Sequence, residues 1–502
     1  MSKQKTSLVW FKKDLRLYDH KPLHLATKDN TNILCFYVLE SILLKQDSFD
    51  SAKTQFLYQS LLDLQNQLIS KGSNLYLSSR TMIETLNYFH SIFDINAIYS
   101  HQESSQNIFY LRDKEVSTWC RNKAISFIEV PQFGVKRPNK NRDGWSRNWE
   151  TFMKEPLIEE PKHIKSPKLL DWGNINLIKK NTQYLNKEIQ QSSLNEATET
   201  LNSFLNVRSK HYTTFLSTPL GSDQFGSRLS PYISFGLLSM KHIVQSFKHK
   251  INDYKESQSI EDKKKRQGLN RTLERLHWHC HFIQKLEDFV HLDNQALSPS
   301  IEKNYNPMHS DSLFKAWCEG YTGFPMVDAC MRFLLTKKWL NFRMRAMLIS
   351  FASHQLQLDW RKTSKHLAKH FLDFEAGIHY SQIQMQSGLT GINAIRIYSP
   401  TKQAIDQDPD TTFIQKWVPE LKGLPKEIIL DIHQAKKQPT LKLSYSQLKH
   451  YQDSVVDEKT SYTQARIRAY NLKKMVSKDE REFLLKQHGS RRKTSNKRIK
   501  KT

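Results

Sequence analysis

The chain has 502 residues, and because a single hydrophobic core stops growing at roughly 250–300 residues, two domains are expected. With 38% hydrophobic and 25% charged residues, the composition excludes an intrinsically disordered chain, and the lack of any run of about 18 apolar residues excludes a membrane-spanning helix. Lys and Arg number 76 against 50 Asp and Glu, a formal net charge of +26. That excess favours a polyanionic partner, nucleic acid first, with a lysine-rich soluble enzyme as the plain alternative.

The N-terminus, MSKQKTSLVWF, passes from a polar lead into an apolar stretch with no cleavable signal pattern, so a cytoplasmic protein is expected. From there to about Val130, β-rich runs at 8–11, 32–38, 74–77, 97–99 and 125–130 alternate with amphipathic stretches. Between two of these runs, Leu57, Leu61, Leu64 and Leu68 recur at helical spacing, and Gly72 follows as a helix-ending residue. This is an α/β pattern, and it predicts a doubly wound parallel sheet over residues 1–133.

Residues 134–202 carry PNKNRDGWSRNW and KEPLIEEPKHIKSPK, rich in Pro, Asn and charge, and read as an interdomain linker. Over 203–425 strand signals fade and helical apolar stretches dominate, predicting an all-helical second domain. A helical extension is expected over 426–488. The last dozen residues, RRKTSNKRIKKT, hold seven Lys or Arg and no acid, and residues 489–502 read as a basic, disordered tail. The five cysteines, Cys35, Cys120, Cys280, Cys318 and Cys330, are scattered without a CxxC pair, as reduced structural thiols are.

Four segments carry a family resemblance: LVWFKKDLRLYDHKPL at the start, GSRLSPYISFGLLS at 226–239, AWCEGYTGFPMVDACMRFLLTKKWLNFRMRAMLISFASHQLQLDWR at 316–361, and RIYSPTKQAIDQDPD with FIQKWVPEL at 396–421. In this order they resemble the DNA photolyase and cryptochrome family, closest to its cyclobutane pyrimidine dimer photolyases. The resemblance implies an N-terminal α/β domain with a possible antenna chromophore, then an all-helical domain holding FAD in a folded conformation. It also implies a cavity into which a pyrimidine dimer is flipped. In the family mechanism excited FADH⁻ gives an electron to the dimer, the linking bonds break, and the electron returns.

The same resemblance assigns residues. Gly226, Ser227, Arg228, Leu229 and Ser230 form a turn suited to the FAD pyrophosphate, the bland reading being a plain helix cap, and Tyr212 is a further cofactor contact. Arg343 and Asp373 match the family's ion pair beside the isoalloxazine, where a cation favours the anionic reduced ring. Phe374 follows, and Glu375 stands where the family commonly has a second Asp. His379 falls where photolyases carry an Asn facing flavin N5, placing a titratable ring there.

In RTLERLHWHCHFIQKL at 271–286, Arg271, Arg275, Trp278 and Phe282 share one helical face, with Trp278 able to stack on a flipped base or, in the bland reading, to pack in the core. The family's usual glutamate three residues before this tryptophan is replaced by Arg275, and Glu274 lies one position off. Trp278, Arg275, Asn341 and His379 are the expected catalytic group, and Arg271, Trp278, Phe282 and Met385 the expected DNA contacts. Although His277 and His281 have metal-ligand spacing, no carboxylate pair or cysteine cluster joins them, and no metal is assigned.

For electron transfer, Trp360 matches the middle of the family's three tryptophans. The proximal position is Ile383, and the distal one falls near Asn306 and Pro307, beside Tyr305. Trp317 and Trp339 offer an alternative route or plain core packing. The stretch 104–116 aligns with an antenna site, with Phe109 where a folate-binding member has an acid. The expected function is light-driven splitting of cyclobutane pyrimidine dimers in DNA by a monomer that does not engage membranes. A cryptochrome-like photoreceptor without repair activity is the alternative, and a nucleic-acid-binding protein with a structural FAD is a third reading. The (6-4) branch is disfavoured because its paired histidines are absent near Asn341 and Phe342.

Overall fold

The computed structural model describes residues 3–29, 31–40, 49–137, 142–169, 171–173 and 186–489; the basic tail lies outside them. Five strands, β1 (Gln4–Phe11), β2 (Asn32–Val38), β3 (Leu75–Ser78), β4 (Phe93–His101) and β5 (Ser126–Val130), form one parallel sheet in the order β3-β2-β1-β4-β5. Each lies at or within a few residues of an expected run. β4 is longest relative to expectation, since Phe93 to Ile95 pair along β1.

Alternate residues of β1 enter two different cores, as the two-residue period of a strand requires. Leu8 and Trp10 face the helices Met82–Ile92 and Asn107–Asn122. Val9 and Phe11 face helix Ser51–Ser70 and continue into a core shared with Tyr232, Phe247 and Leu269 of the helical half. Covering both faces is what makes a parallel sheet with near-continuous apolar strands stable.

The helical half has its own core around Trp317, Phe351 and Trp360. It joins the sheet through the loop after β1. There Leu15 N–H donates to the Phe235 carbonyl at 3.2 Å and Arg16 Nη1 to the Gly236 carbonyl at 2.9 Å. Gly236 has φ +76, and a Cβ on it would lie 2.1 Å from the Lys13 carbonyl oxygen, so only glycine admits this approach. Farther along, Lys53 Nζ donates to the carbonyls of Ala368 and Lys369 at 2.7 and 2.8 Å, closing the end of helix Trp360–His370.

The described parts of the segment 134–202 are packed rather than loose. Helix Trp145–Lys154 buries Trp145, Trp149 and Met153, three residues at helical spacing that the surrounding polar residues mask in the sequence. Trp172 lends its carbonyl to Leu77 N–H at 3.1 Å, covering the edge strand β3. In the extension, helix Glu458–Lys474 lies against the π turn Phe351–Gln355, and helix Lys478–His488 touches helix Ile260–Asp288. No helix among the described residues is long and apolar enough to cross a membrane.

Helices Ile260–Asp288 and Ala376–Gln386 cross at Gly377, where an added Cβ would lie 2.5 Å from Ile283 Cα. Backbone cannot yield there as a side chain would. Gly377→Ala is expected to lower unfolding stability by about 1–3 kcal/mol, read as a drop in the urea midpoint, and an unchanged midpoint contradicts the close crossing.

Candidate functional site

Three pieces of chain converge on a buried carboxylate. Arg345, in helix Phe342–Ser350, donates through Nη2 to Asp373 Oδ1 and Oδ2 at 3.0 and 2.8 Å, while its Nε is held by the Leu340 carbonyl at 2.6 Å. The guanidinium also lies 3.9 Å from the Phe371 ring centre. The partner of Asp373 is therefore Arg345 and not Arg343. Two residues apart on a helix point to different sides, and only Arg345 faces the 371–375 loop; Arg343 keeps its Nε buried with no partner.

Burial by itself would raise the Asp373 carboxyl, but the Arg345 charge and hydrogen bonds, Ser230 and the Arg228 charge together hold it below its ordinary value. Through Ser230 and Arg228, then, the 226–230 turn meets this pair. Arg228 takes a left-handed φ of +56, bonds Asp223 at 3.2 Å and covers the Trp339 ring at 4.0 Å. Its carbonyl accepts from Gln190 Nε2 at 2.8 Å. Arg208 clamps the turn from below, with Nη1 on the Gly226 carbonyl and Nη2 on that of Ser227 at 3.3 Å. Leu229 is buried beneath it. Tyr212, on helix Ser209–Phe215, packs edge-on to Phe204 at 5.5 Å beneath helix Ile260–Asp288.

Positive charge dominates here. Lys53 adds a third cation, its ammonium lowered to about 7 by burial against the opposing pull of Asp50, and it lies 5.9 Å from the Phe374 ring. Glu375 does not join the Arg345 pair. Its carboxyl is raised by burial, and its nearest cation, Lys13 of the sheet half, is 3.7 Å away. His379 is buried against Phe374 at 5.2 Å, and its Nε2 donates to the Ser364 carbonyl at 2.9 Å. Burial lowers this ring to about 3, so it is neutral at pH 7, with the proton on Nε2 and Nδ1 left as an acceptor.

Among the described residues, six buried polar atoms on these two helices and their N-caps have no hydrogen-bond partner: Asn341 Oδ1, Arg343 Nε, both Glu375 carboxylate oxygens, Ser381 Oγ and Gln382 Nε2. Buried polar groups are almost always satisfied. A mixed donor and acceptor set left open beside the Arg345–Asp373 ion pair fits a large polar cofactor such as FAD. Asn341 is anchored by donating to the Leu216 and Ser217 carbonyls at 3.3 and 2.9 Å, which directs its free oxygen.

Helix Ile260–Asp288 forms one rim. Arg271 is exposed, Arg275 half-buried 5.8 Å from the Phe342 ring centre, Trp278 40% exposed and Phe282 buried, a face that runs from solvent inward. Such exposure removes the core-packing reading of Trp278, whose ring meets Phe282 at 5.7 Å and His281 at 5.2 Å. Glu274 is exposed and tied to Arg271 at 2.6 Å, so it does not stand in for the glutamate that Arg275 replaces. Met385 is half-buried on helix Ala376–Gln386.

His277 and His281 pack against Trp145, at 5.1 and 5.8 Å. The one cluster among the described residues with metal-ligand spacing is Asp14, His20 and His101, at the ends of β1 and β4. His20 Nδ1 accepts from Leu23 N–H at 3.1 Å, so its Nε2 carries the proton that Asp14 accepts at 2.9 Å, while His101 Nδ1 bonds the same oxygen at 2.6 Å. A ligating imidazole donates from its other nitrogen, and His20 does the reverse. The cluster is therefore a hydrogen-bonded lock for the loop after β1. Nearby, Arg112 of the 104–116 stretch pairs with Glu40, Glu103 and Asp113 at 3.1, 2.7 and 2.8 Å and stacks over Trp10 and Phe109.

Trp360 is fully buried, its backbone N–H donating to the Tyr305 hydroxyl at 3.2 Å while its indole Nε1 has no partner among the described residues, and Arg361 covers both rings. Trp317 is enclosed by His366 and Phe314, and Ile383 is buried.

A family model described as DNA photolyase matches residues 7–143, and one described as the FAD binding domain of DNA photolyase matches 272–471. The chain belongs to the DNA photolyase and cryptochrome family. A deoxyribodipyrimidine photo-lyase of Buchnera aphidicola is 25% identical over 486 residues, covering 92% of this chain and 98% of its own. A cryptochrome DASH of Gloeobacter violaceus is 24% identical over 84% of this chain and 87% of its own. A bacterial class III photolyase from Agrobacterium tumefaciens shares the fold with a TM-score of 0.81 at 22% identity, over 94% of this chain and 98% of its own. The family's FAD-binding domain thus includes helix Phe342–Ser350 and helix Ala376–Gln386, which carry the open polar atoms.

Composition alone did not reveal Arg208, Gln190 or Lys53, because each acts on residues well removed in the sequence. Only the NFRMR spacing, with two arginines to choose between, signalled Arg345 in the sequence.

Arg345→Ala leaves Asp373 buried without its cation and is expected to cost on the order of 3 kcal/mol, whereas Arg343→Ala should cost under about 1 kcal/mol. Chemical denaturation of the two variants checks this, and equal losses refute the assignment. Acid should act through histidines. His354 and His366 are lowered to about 4, and His101, His279, His370, His379 and His488 to about 3, chiefly by burial. Their unfolded counterparts take up protons near 6.5, so the stability they confer is complete above that pH and declines as pH falls toward 3–4. A urea midpoint that stays level between pH 7 and 5 argues against buried neutral imidazoles.

Proposed function

We propose that this chain is a light-driven DNA repair flavoprotein that splits cyclobutane pyrimidine dimers. Supporting this is one juxtaposition: an exposed tryptophan, Trp278, stands with Arg271 and Arg275 on a helix that crosses the cofactor-side helix Ala376–Gln386 at Gly377. Bound FAD would supply the light-driven one-electron chemistry of the repair. The chain's residues do the rest. Gly226 to Ser230, Tyr212, Phe374 and the open atoms near Asn341 hold and orient the cofactor, while Arg345, Arg228 and Lys53 favour its negatively charged reduced form.

Asp373 fixes Arg345 in place, and His379, neutral with an acceptor nitrogen, sits where the N5 side of the ring is expected. Trp278 stacks on the flipped base, Phe282 and Met385 close the apolar side, and Arg271 and Arg275 meet phosphates. The net charge of +26 suits the same partner. We read the chain as a cytoplasmic monomer.

A photoreceptor without repair chemistry is the second reading. Arg275 stands where a lesion-binding glutamate is expected, Glu274 is taken by Arg271, and Ile383 interrupts the usual tryptophan series toward Trp360.

Light-dependent disappearance of thymine dimers from an oligonucleotide, using the chemically reduced holoprotein, separates the two. Repair should occur, and Trp278→Ala should weaken lesion binding by about 1–3 kcal/mol, roughly 5- to 150-fold. Intact dimers under illumination, accompanied by a light-dependent change of oligomeric state, sink the repair reading.

A further inference from the structure

Beyond Trp278 the helix Ile260–Asp288 dips beneath helix Lys478–His488, and two cations are buried there. The Arg142 side chain is 2% exposed. Its Nε lies 3.1 Å from Asp288 Oδ2 and donates to the Gln487 carbonyl at 3.2 Å, its Nη2 reaches the His281 carbonyl at 3.4 Å, and its Nη1 is buried without any partner among the described residues. Lys285 is 4% exposed, and among the described residues its ammonium has no hydrogen bond or ion pair, only the Phe282 ring at 5.6 Å.

Among the described residues Asp288 is the one carboxylate within ion-pair distance of either cation, and its other oxygen already accepts from Gln284 at 2.9 Å. Glu287 is bound to Arg137. Two cations against one carboxylate leave a buried positive charge, which is costly unless something offsets it. Burial and the Arg142 charge lower Lys285 to about 8, the direction that unrelieved positive charge produces. His281 and His488 sit beside the pair, lowered by burial to about 2 and about 3, and so neutral, and His488 Nδ1 is also unpartnered.

We propose that Arg142 and Lys285 form an oxyanion site that holds a backbone phosphate of a nucleic-acid strand passing Trp278. A phosphate accepts from Arg142 Nη1 and Lys285 Nζ at once, as charge-assisted hydrogen bonds. Lys285 lies seven residues beyond Trp278, two helical turns or roughly 10 Å along the same face. His281 joins them, its ring 5.2 Å from Trp278. The source of the phosphate rests on the nucleic-acid reading above; the site itself does not.

The test uses the full-length flavin-loaded protein with Lys285→Met and Lys285→Arg variants. Thermal unfolding is followed against inorganic phosphate at constant ionic strength, and anisotropy measures binding of an undamaged labelled oligothymidylate. Phosphate should raise the wild-type midpoint, Lys285→Met should abolish that rise and weaken oligonucleotide binding at least fivefold, and Lys285→Arg should retain both. A midpoint that ignores phosphate, or responds equally in Lys285→Met, overturns the site. If Lys285→Met loses the phosphate response but keeps full oligonucleotide affinity, free anions are the ligand and the nucleic-acid assignment fails. Absence of dimer repair with these responses intact sinks only the repair reading.

Discussion

Asp373 is a carboxylate placed where burial alone would neutralise it, and its ionisation organises the centre of the helical half. Arg345 keeps it charged, and holding Arg345 requires Leu340 to lend a carbonyl and Phe371 to offer a ring face. Ser230 and Arg228 then bring in the 226–230 turn. A single buried charge thus sets the relative positions of three segments, the 226–230 turn lying more than a hundred residues before the other two. Breaking it would expose the cost of every unpaired partner at once.

Each cation near that carboxylate has an acid of its own: Arg345 is held by Asp373, Arg228 by Asp223, and Asp50 pulls on Lys53. Around Arg142 and Lys285, on the far side of Trp278, Asp288 is the one carboxylate within ion-pair distance among the described residues. Between these two regions the helix Ile260–Asp288 presents Arg271, Arg275 and the exposed Trp278 on one face.

The loop after β1 explains why LVWFKKDLRLYDH is so recognisable. Asp14 gathers Lys12 N–H, His20 and His101, and Arg16 crosses to the Gly236 carbonyl. The motif is the joint between sheet and helices, and its chemistry is structural. Gly236 belongs to that joint, and Gly377 does corresponding work where two helices cross, each at a place where backbones meet too closely for any side chain.

What the amino-acid sequence determined by itself was the local and the ordered. Alternating runs led to five parallel strands, leucines at helical spacing led to helix Ser51–Ser70, and the motif series led to the FAD-binding domain. Strand period and helix period are short-range properties, so they survive without knowledge of the fold. The tertiary structure alone decided which of two arginines meets Asp373, because residues 343 and 345 differ only in the direction they leave the helix. It also decided that Trp278 is exposed, that Glu375 turns to Lys13, that the linker buries Trp145 and Trp149, and that Arg208 and Lys53 serve the site. Each of these depends on which surfaces come together over long separations, and no periodicity along the chain records that.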